Sequence, residues 1–256
     1  MRIALGIEYD GTAYNGWQRQ KTGLGVQQRV EEALCTVANH ELEVTCAGRT
    51  DTGVHATGQV VHFDTPSSRD DRGWLLGANS NLPDDISVIW ACQVDDEFHA
   101  RFSATARHYR YRILNRLQRS AIHRHRAWWV YPPLDADQMH EAAQHLLGEH
   151  DFSAFRAAGC RANTAQRNIT HISIERSGDW LTLKVSANAF LQHMVRNITG
   201  TLAMVGEGER PPGWIKEVLE SRDRKQGGIA APPHGLTLVA VDYPNDAGIP
   251  LSPDID

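Results

Sequence analysis

Two hydrophobic periods alternate along the first hundred residues in a fixed order, and that order decides the fold class. Ile3, Leu5, Ile7 and Tyr9 alternate with Arg2, Ala4, Gly6 and Glu8, the period-two pattern of a strand with one buried face. Asp10-Gly11 ends the pattern. A polar stretch holding Tyr14 and Trp17 then leads to an apolar stripe at Val26, Val30, Ala33, Leu34, Val37 and Ala38, the spacing of an amphipathic helix. Short strands over 42 to 47 and 59 to 64, a weaker helix over 70 to 80 and an apolar strand over 86 to 94 complete the order β-α-β-β-α-β. This is the split βαβ, or ferredoxin-like, arrangement, in which helices cover one face of an antiparallel sheet.

The second half repeats the order without repeating the residues. Strands are expected over 106 to 114 and 127 to 131, followed by a helix carrying Met139, Ala142, Ala143, Leu146 and Leu147. Strands over 168 to 175 and 180 to 187 flank the turn signal Ser177-Gly178-Asp179. A long helix over 189 to 205, a short one over 214 to 219 and a last strand over 236 to 241 follow, and the Pro- and Asp-rich tail after Tyr243 reads as irregular. The expected fold is therefore α+β: two ferredoxin-like halves, residues 1–103 and 104–256, joined into one extended, mainly antiparallel sheet with helices on one face. An active-site cleft is expected at the centre, where groups from both halves converge.

Between the strands of the first half, residues 46 to 58 hold Gly48, Gly53 and Gly58 together with Arg49 and Asp51. Glycines let a segment bend sharply and present a carboxylate from a strand end. A guanidinium two residues away favours the ionised form of that carboxylate. Asp51 is thus a candidate nucleophile or base, and an aspartate capping its own turn is the plain structural alternative. In the second half Arg196 sits inside the apolar run of the long helix. A buried arginine there needs an anion, for which Asp51 is one candidate; an exposed stripe shared with Gln192 and Thr199 is the other reading.

Net charge is −5, which argues against binding nucleic acid through an overall field. The average hides an asymmetry. Residues 98 to 134 contain no acid, yet carry Arg101, Arg107, Arg110, Arg112, Arg116, Arg119, Arg124 and Arg126, with His99, His108, His123 and His125 among them. Eight arginines without counter-ions point to a phosphate-binding face and a polyanionic partner. Four cysteines without a Cys-x-x-Cys pair suggest neither a disulfide framework nor a thiolate zinc site, and fit a reducing, cytoplasmic setting. No apolar run approaches the roughly 20 residues that span a bilayer, so neither a signal peptide nor a membrane anchor is expected.

Several separate segments, in order, resemble the tRNA pseudouridine synthase A family. They are Ala47-Gly48-Arg49-Thr50-Asp51 with Gly53-Val54-His55-Ala56; Tyr9-Asp10-Gly11-Thr12 and Gly16-Trp17-Gln18 upstream; and 98 to 111, 190 to 197 and 231 to 243 downstream. The clearest departure is the turn over 161 to 168, where relatives more often carry a longer charged or proline-containing segment; Arg167 still matches. The resemblance implies a cofactor-free, metal-free isomerase acting at positions 38, 39 and/or 40 of the tRNA anticodon stem-loop, working as a homodimer across which one tRNA reaches. It implies that Asp51 is the catalytic aspartate, as nucleophile or as base at the sugar. Tyr109 would pack near the target base and deprotonate the carbon-bonded product. A phenol is a weak base at its usual pKa near 10, so that step would need the neighbouring arginines. Arg49 and Arg196 would hold Asp51 ionised and fill the space that the base vacates. Arg107, Arg110, Arg112, Arg124, Arg126, Arg167 and Gln59 complete the expected substrate-binding set. Extrusion of a stem uridine would be offset by stacking and backbone contacts, with binding that weakens steeply in salt.

Two other classes share features with this sequence. A non-catalytic pair of RRM-like units shares the element order, but no Gly-Phe-Gly-Phe type of run is present. A metal-dependent hydrolase would need ligand spacing that His123-Arg124-His125 does not provide, and no phosphate-cradling glycine motif is found for a nucleotide cofactor.

Overall fold

The computed structural model describes residues 1–250. The class found is the one expected, α+β with a mixed, mostly antiparallel sheet of ten strands and five α-helices among the described residues. The chain divides into two compact units, residues 1–107 with 238 onward, and residues 108–237.

The first unit contains β1 (Arg2–Tyr9), α1 (Val26–Ala38), β2 (Thr45–Cys46), β3 (His55–Asp64), α2 (Asp71–Asn79) and β4 (Ile86–Val94), the β-α-β-β-α-β order read from the sequence. Strand order is β4-β1-β3, with β2 also paired to β3, and β1 is antiparallel to both neighbours. Leu5 lies opposite Val61 on one side and Ala91 on the other. The helices form where local chemistry starts them: Asp70 accepts a hydrogen bond from the Gly73 amide at the head of α2, and Asn39, left-handed at φ 59°, ends α1. Val26, Val30, Ala33, Leu34 and Val37 of α1 are buried, and Trp74 of α2 meets Phe63 of β3 edge to face at 5.2 Å.

One expectation is corrected here. β1 is buried on both faces along Ile3 to Ile7, not on one. Gly6 lies opposite Trp90, and a Cβ on Gly6 would fall 2.1 Å from the indole nitrogen, so the absent side chain makes room for a ring that covers the second face.

The second unit takes in β5 (Ala106–Asn115) from His108, then β6 (Trp128–Val130), α3 (Ala136–Gln144), β7 (Gly148–Asp151), β8 (Gln166–Ser177), β9 (Trp180–Ala187), α4 (Met194–Gly206) and α5 (Trp214–Ser221). Strand order is β5-β9-β8-β7, with β6 paired parallel to β5. The β8-β9 hairpin turns at Gly178, φ 57°, where a turn was expected. β10 (Leu236–Asp242) passes into the first unit at Leu238 and lies beside β3.

Two helix boundaries differ from expectation. The helix expected to carry Leu146 and Leu147 ends at Gln144; Leu146 is buried after it, and Gly148, φ 92°, turns the chain into an edge strand that the sequence pattern did not reveal. The long helix begins at Met194, not 189. Asn188 Oδ1 accepts the amides of Ala189 and Asn168, and His193 is left-handed at φ 62°, so side-chain and backbone geometry hold residues 189 to 193 out of the helix. Of the tail after Tyr243, residues 244–250 carry no helix or strand, and the remainder of that expectation lies outside the described residues.

Candidate functional site

β3 begins at His55, so the irregular segment is residues 47 to 54, shorter than the 46 to 58 expected. Of its three expected hinge glycines only Gly53 takes a left-handed angle, φ 77°. Gly58 lies within β3 for a different reason: a Cβ there would strike the Val239 carbonyl of β10 at 2.2 Å.

The segment is short, but it is held along its whole length. The Ala47 amide donates to the Val60 carbonyl at 2.8 Å. Gln59, fully buried, donates from Nε2 to the Gly48 carbonyl at 2.6 Å and accepts the Gly48 amide on Oε1 at 3.4 Å. The Thr50 carbonyl accepts the Trp17 amide at 3.0 Å, and its hydroxyl lies 2.8 Å from the Tyr9 phenol. The Asp51 carbonyl accepts the Val54 amide at 3.1 Å, closing a turn, and the Gly53 amide reaches the Tyr14 carbonyl at 3.3 Å. Asp51 itself is half-buried.

These contacts explain the upstream motifs. Tyr14 and Trp17 are buried, with Tyr9 and Trp17 rings 5.8 Å apart. Gly11 and Gly16 are there because the aspartate segment passes so close: a Cβ on Gly11 would lie 2.0 Å from the Val54 carbonyl oxygen, and one on Gly16 would lie 2.6 Å from the Thr50 carbonyl oxygen. His55 adds a further tie, its Nδ1 accepting the Gly11 amide at 3.0 Å, beside Asp10 at the same distance. None of this bracing was read from the sequence, where residues 14 to 20 looked like an ordinary polar loop. The motifs Tyr9-Asp10-Gly11-Thr12 and Gly16-Trp17-Gln18 mark these segments without showing what they hold.

Arg107, expected to face phosphate, is buried instead. Its Nη2 donates to the Ala47 carbonyl at 3.1 Å and the Arg101 carbonyl at 2.6 Å, and its Nη1 to the Ala104 carbonyl at 3.1 Å. It therefore braces the same segment from the other side. Arg49 is exposed. Asp51, Arg49, Gln59 and Arg107 thus all belong to the first unit. Cys46, just before the segment, has its thiol pushed up to about 12 by burial, so it stays protonated and inert at neutral pH.

The other expected residues belong to the second unit. Tyr109 is buried, with Phe190 edge-on to its ring at 5.0 Å. Arg196, half-buried on the first turn of α4, donates from Nε to the Ala231 carbonyl at 2.8 Å, while the Ala231 amide donates back to the Arg196 carbonyl at 3.0 Å. Thr199 is fully buried while Gln192, ahead of the helix, is exposed, so the stripe read from the sequence does not run along that face. Arg110 is half-exposed; Arg112 lies 4.0 Å from the Trp180 ring, and burial lowers its guanidinium pKa, with Arg110 acting the same way. Arg124 and Arg126 are exposed, Arg124 donating to the Ala121 carbonyl at 2.8 Å. Arg167 is half-buried and donates to the carbonyls of Thr164 and Gln166. Among the described residues no group of three or more His, Cys, Asp or Glu side chains could hold a metal ion, and no helix is long and apolar enough to cross a membrane.

The arrangement in the first unit is a carboxylate on a segment whose backbone is fixed by hydrogen bonds from three directions. Such pre-organisation suits a reaction in which one group must meet a reacting carbon repeatedly in one geometry. A family model described as tRNA pseudouridine synthase matches residues 6–103 and 142–244. Those stretches include Asp51 and Arg196, and leave out Tyr109 and most of the arginine-rich window. The chain is 57% identical over 253 residues to a protein of Aeromonas hydrophila named tRNA pseudouridine synthase A, covering 99% of this chain and 94% of that one. Proteins of the same name from Vibrio campbellii and Coxiella burnetii are 56% and 54% identical, covering 99% and 98% of this chain and 96% and 97% of theirs.

Proposed function

The chain belongs to the tRNA pseudouridine synthase family, and from that premise we propose that it isomerises uridine to pseudouridine at positions 38, 39 and/or 40 of the tRNA anticodon stem-loop, with Asp51 as the catalytic residue. The reaction breaks the bond from ribose C1′ to uracil N1, rotates the retained base and joins C1′ to C5. The hydrogen on C5 leaves as a proton and N1 gains one, so nothing is consumed and no cofactor is called for. The observation that carries the assignment is the bracing of the Asp51 segment, through Tyr9, Trp17, Gln59 and Arg107, around one half-buried carboxylate.

Asp51 serves as a nucleophile, attacking the sugar at C1′ or the uracil ring, or as a base that takes a proton from the sugar, and each route requires the ionised carboxylate. By resemblance to the family, Arg49 and Arg196 are the basic partners of Asp51 and take up the space that the base vacates. Tyr109 takes the C5 proton. Arg110, Arg112, Arg124, Arg126 and Arg167 meet the phosphate backbone, while Gln59 and Arg107 act through the loop they hold. By the same resemblance the working form is a cytoplasmic homodimer with one tRNA across both subunits, which sedimentation of the protein with and without tRNA tests.

The deciding experiment is to incubate the purified protein with unmodified tRNA transcript and map pseudouridine by position, beside Asp51→Asn. Turnover by the wild type, with retained tRNA binding and no product from the variant, is the expected outcome. Product formed by Asp51→Asn at the wild-type rate would remove Asp51 from the mechanism. Binding without turnover by the wild type would favour a non-catalytic RNA-binding protein.

A further inference from the structure

Phe102 is 76% exposed, yet the backbone beneath it is fixed. Every amide from His99 to Ser103 is hydrogen-bonded: His99 to the Ser103 hydroxyl at 2.9 Å, Ala100 to His62 Nδ1 at 3.1 Å, Arg101 and Phe102 to His99 Nδ1 at 3.1 and 3.2 Å, and Ser103 to the His99 carbonyl at 2.9 Å. The Tyr243 hydroxyl donates to the Ala100 carbonyl at 2.6 Å from the other side. The ring is therefore displayed on a rigid support, which differs from an apolar side chain on a loose loop.

The support extends to the rings. His99 lies under Phe102 with centroids 4.3 Å apart and planes at 32°, and His62 lies 4.8 Å from His99. The Arg101 guanidinium sits 5.5 Å from the Phe102 centroid. Burial lowers the pKa of both imidazoles, so the rings behind Phe102 are neutral at physiological pH and the cation of the group is Arg101. An open aromatic face beside an exposed arginine, in a 37-residue window without acids (98 to 134), has the chemistry that holds an unpaired nucleobase: stacking on the ring, with a phosphate at the guanidinium. A protein partner would not need the acid-free surroundings.

The position also fits. A single nitrogen, Arg107 Nη2, binds both the Arg101 and Ala47 carbonyls, so these two oxygens lie at most about 6 Å apart. Ala47 is four residues from Asp51, so along the chain the Arg101 carbonyl lies within roughly 20 Å of the Asp51 backbone, the span of a few nucleotides.

We propose that Phe102, flanked by Arg101, is a stacking platform for an unpaired base of the tRNA close to the target uridine, and so helps to determine which uridine enters the site. This rests on the function proposed above. Phe102 is a positioning residue, touching substrate away from the reacting atoms.

The test uses unmodified tRNA transcript and the variants Phe102→Ala, Phe102→Leu and Phe102→Trp, each checked by thermal melting. Loss of one stacked base is expected to raise KM by about 5- to 150-fold in Phe102→Ala with kcat nearly unchanged. Phe102→Trp should stay within about threefold of wild type, and Phe102→Leu should resemble alanine, since it keeps apolar area but has no π-face. A transcript with 2-aminopurine at single unpaired positions should lose fluorescence on binding to wild type at one of them, and regain it with Phe102→Ala. Wild-type KM in Phe102→Ala, or full rescue by leucine, overturns the platform. So does a shift of Phe102→Ala from dimer to monomer in sedimentation, which would assign the ring to a second copy of the chain. Because the aminopurine signal needs no turnover, an absence of pseudouridine from wild type would sink the proposed function and leave this reading to its own result.

Discussion

Replacing Gly16 by alanine tests whether the bracing of the Asp51 segment, as distinct from the presence of Asp51, sets the rate. Gly16 has φ 87°, where an L side chain costs about 1–2 kcal/mol. Its new Cβ would lie 2.6 Å from the Thr50 carbonyl oxygen, 3.1 Å from the Asp51 carbonyl carbon and 3.2 Å from the Thr52 amide nitrogen. Ordinary contact needs about 3.4 Å or more, so the Thr50-Asp51 peptide must retreat by roughly 0.5–1 Å, and overpacking of this kind costs another 1–3 kcal/mol. A misplacement near 1 Å at a reacting group lowers rate by about 100-fold. We therefore expect Gly16→Ala to lose roughly 10- to 100-fold in the rate of tritium release from 5-tritiated uridine in tRNA, with Kd for tRNA changed less than about threefold. Melting should fall by several degrees, at about 2–4 °C per kcal/mol for a chain of this size. Gly178→Ala is the control. It carries the same kind of backbone penalty at φ 57°, but nothing lies within 4 Å of its Cβ. If Gly16→Ala, folded at the assay temperature, turned over as fast as Gly178→Ala, the Asp51 segment would not be rate-setting through its position.

Three further outcomes follow from the same geometry. Gln59→Leu removes both hydrogen bonds to Gly48 inside a buried site, leaving the carbonyl unpaired; a stability loss of about 1–3 kcal/mol with lowered kcat and unchanged KM is expected by denaturant titration and steady-state kinetics. His62 has its pKa lowered from 6.5 to about 4, chiefly by burial, with His99 and Arg2 acting the same way and Asp64 against them. A depressed folded pKa contributes stability that is complete above 6.5 and is lost as pH falls toward 4, so wild type should lose on the order of 1–3 kcal/mol more across that window than His62→Gln. A His62 imidazole titrating near 6.5 in the folded protein, read by NMR, would contradict this. For tRNA affinity against salt, Arg124→Ala and Arg126→Ala should each make the log-log slope shallower by about 0.7–0.9. Arg107→Ala should leave the slope alone and lower stability and turnover, because its guanidinium is spent on carbonyls.

That contrast between arginines shows where sequence reading stops. Periodicity located the strands and helices because burial of one face imposes a repeat that neighbours share; Ile3 to Tyr9 and Val26 to Ala38 needed no partner to be recognised. It failed where a partner far along the chain decides the matter. Gly6 admits Trp90 across the sheet, and Asn188 ties residue 189 back to Asn168, so the apolar pair Phe190 and Leu191 extended a helical pattern that the backbone does not follow. The aspartate was visible as a motif, but its bracing was not, since Tyr9 meets Thr50 across 41 residues and His55 meets Gly11 across 44. Charge counting has the same blind spot. The eight arginines of the acid-free window look alike in sequence, yet Arg107 is buried among carbonyls, Arg112 lies against Trp180, and Arg116 reaches Asp179 at 3.4 Å. Arg101, Arg119, Arg124 and Arg126 are the exposed ones. A guanidinium satisfies a backbone carbonyl, an indole face or a phosphate with the same atoms, so composition identifies how many cations a segment carries while packing decides how many reach the RNA. A salt slope short of the eight phosphates that charge counting alone would suggest is the consequence.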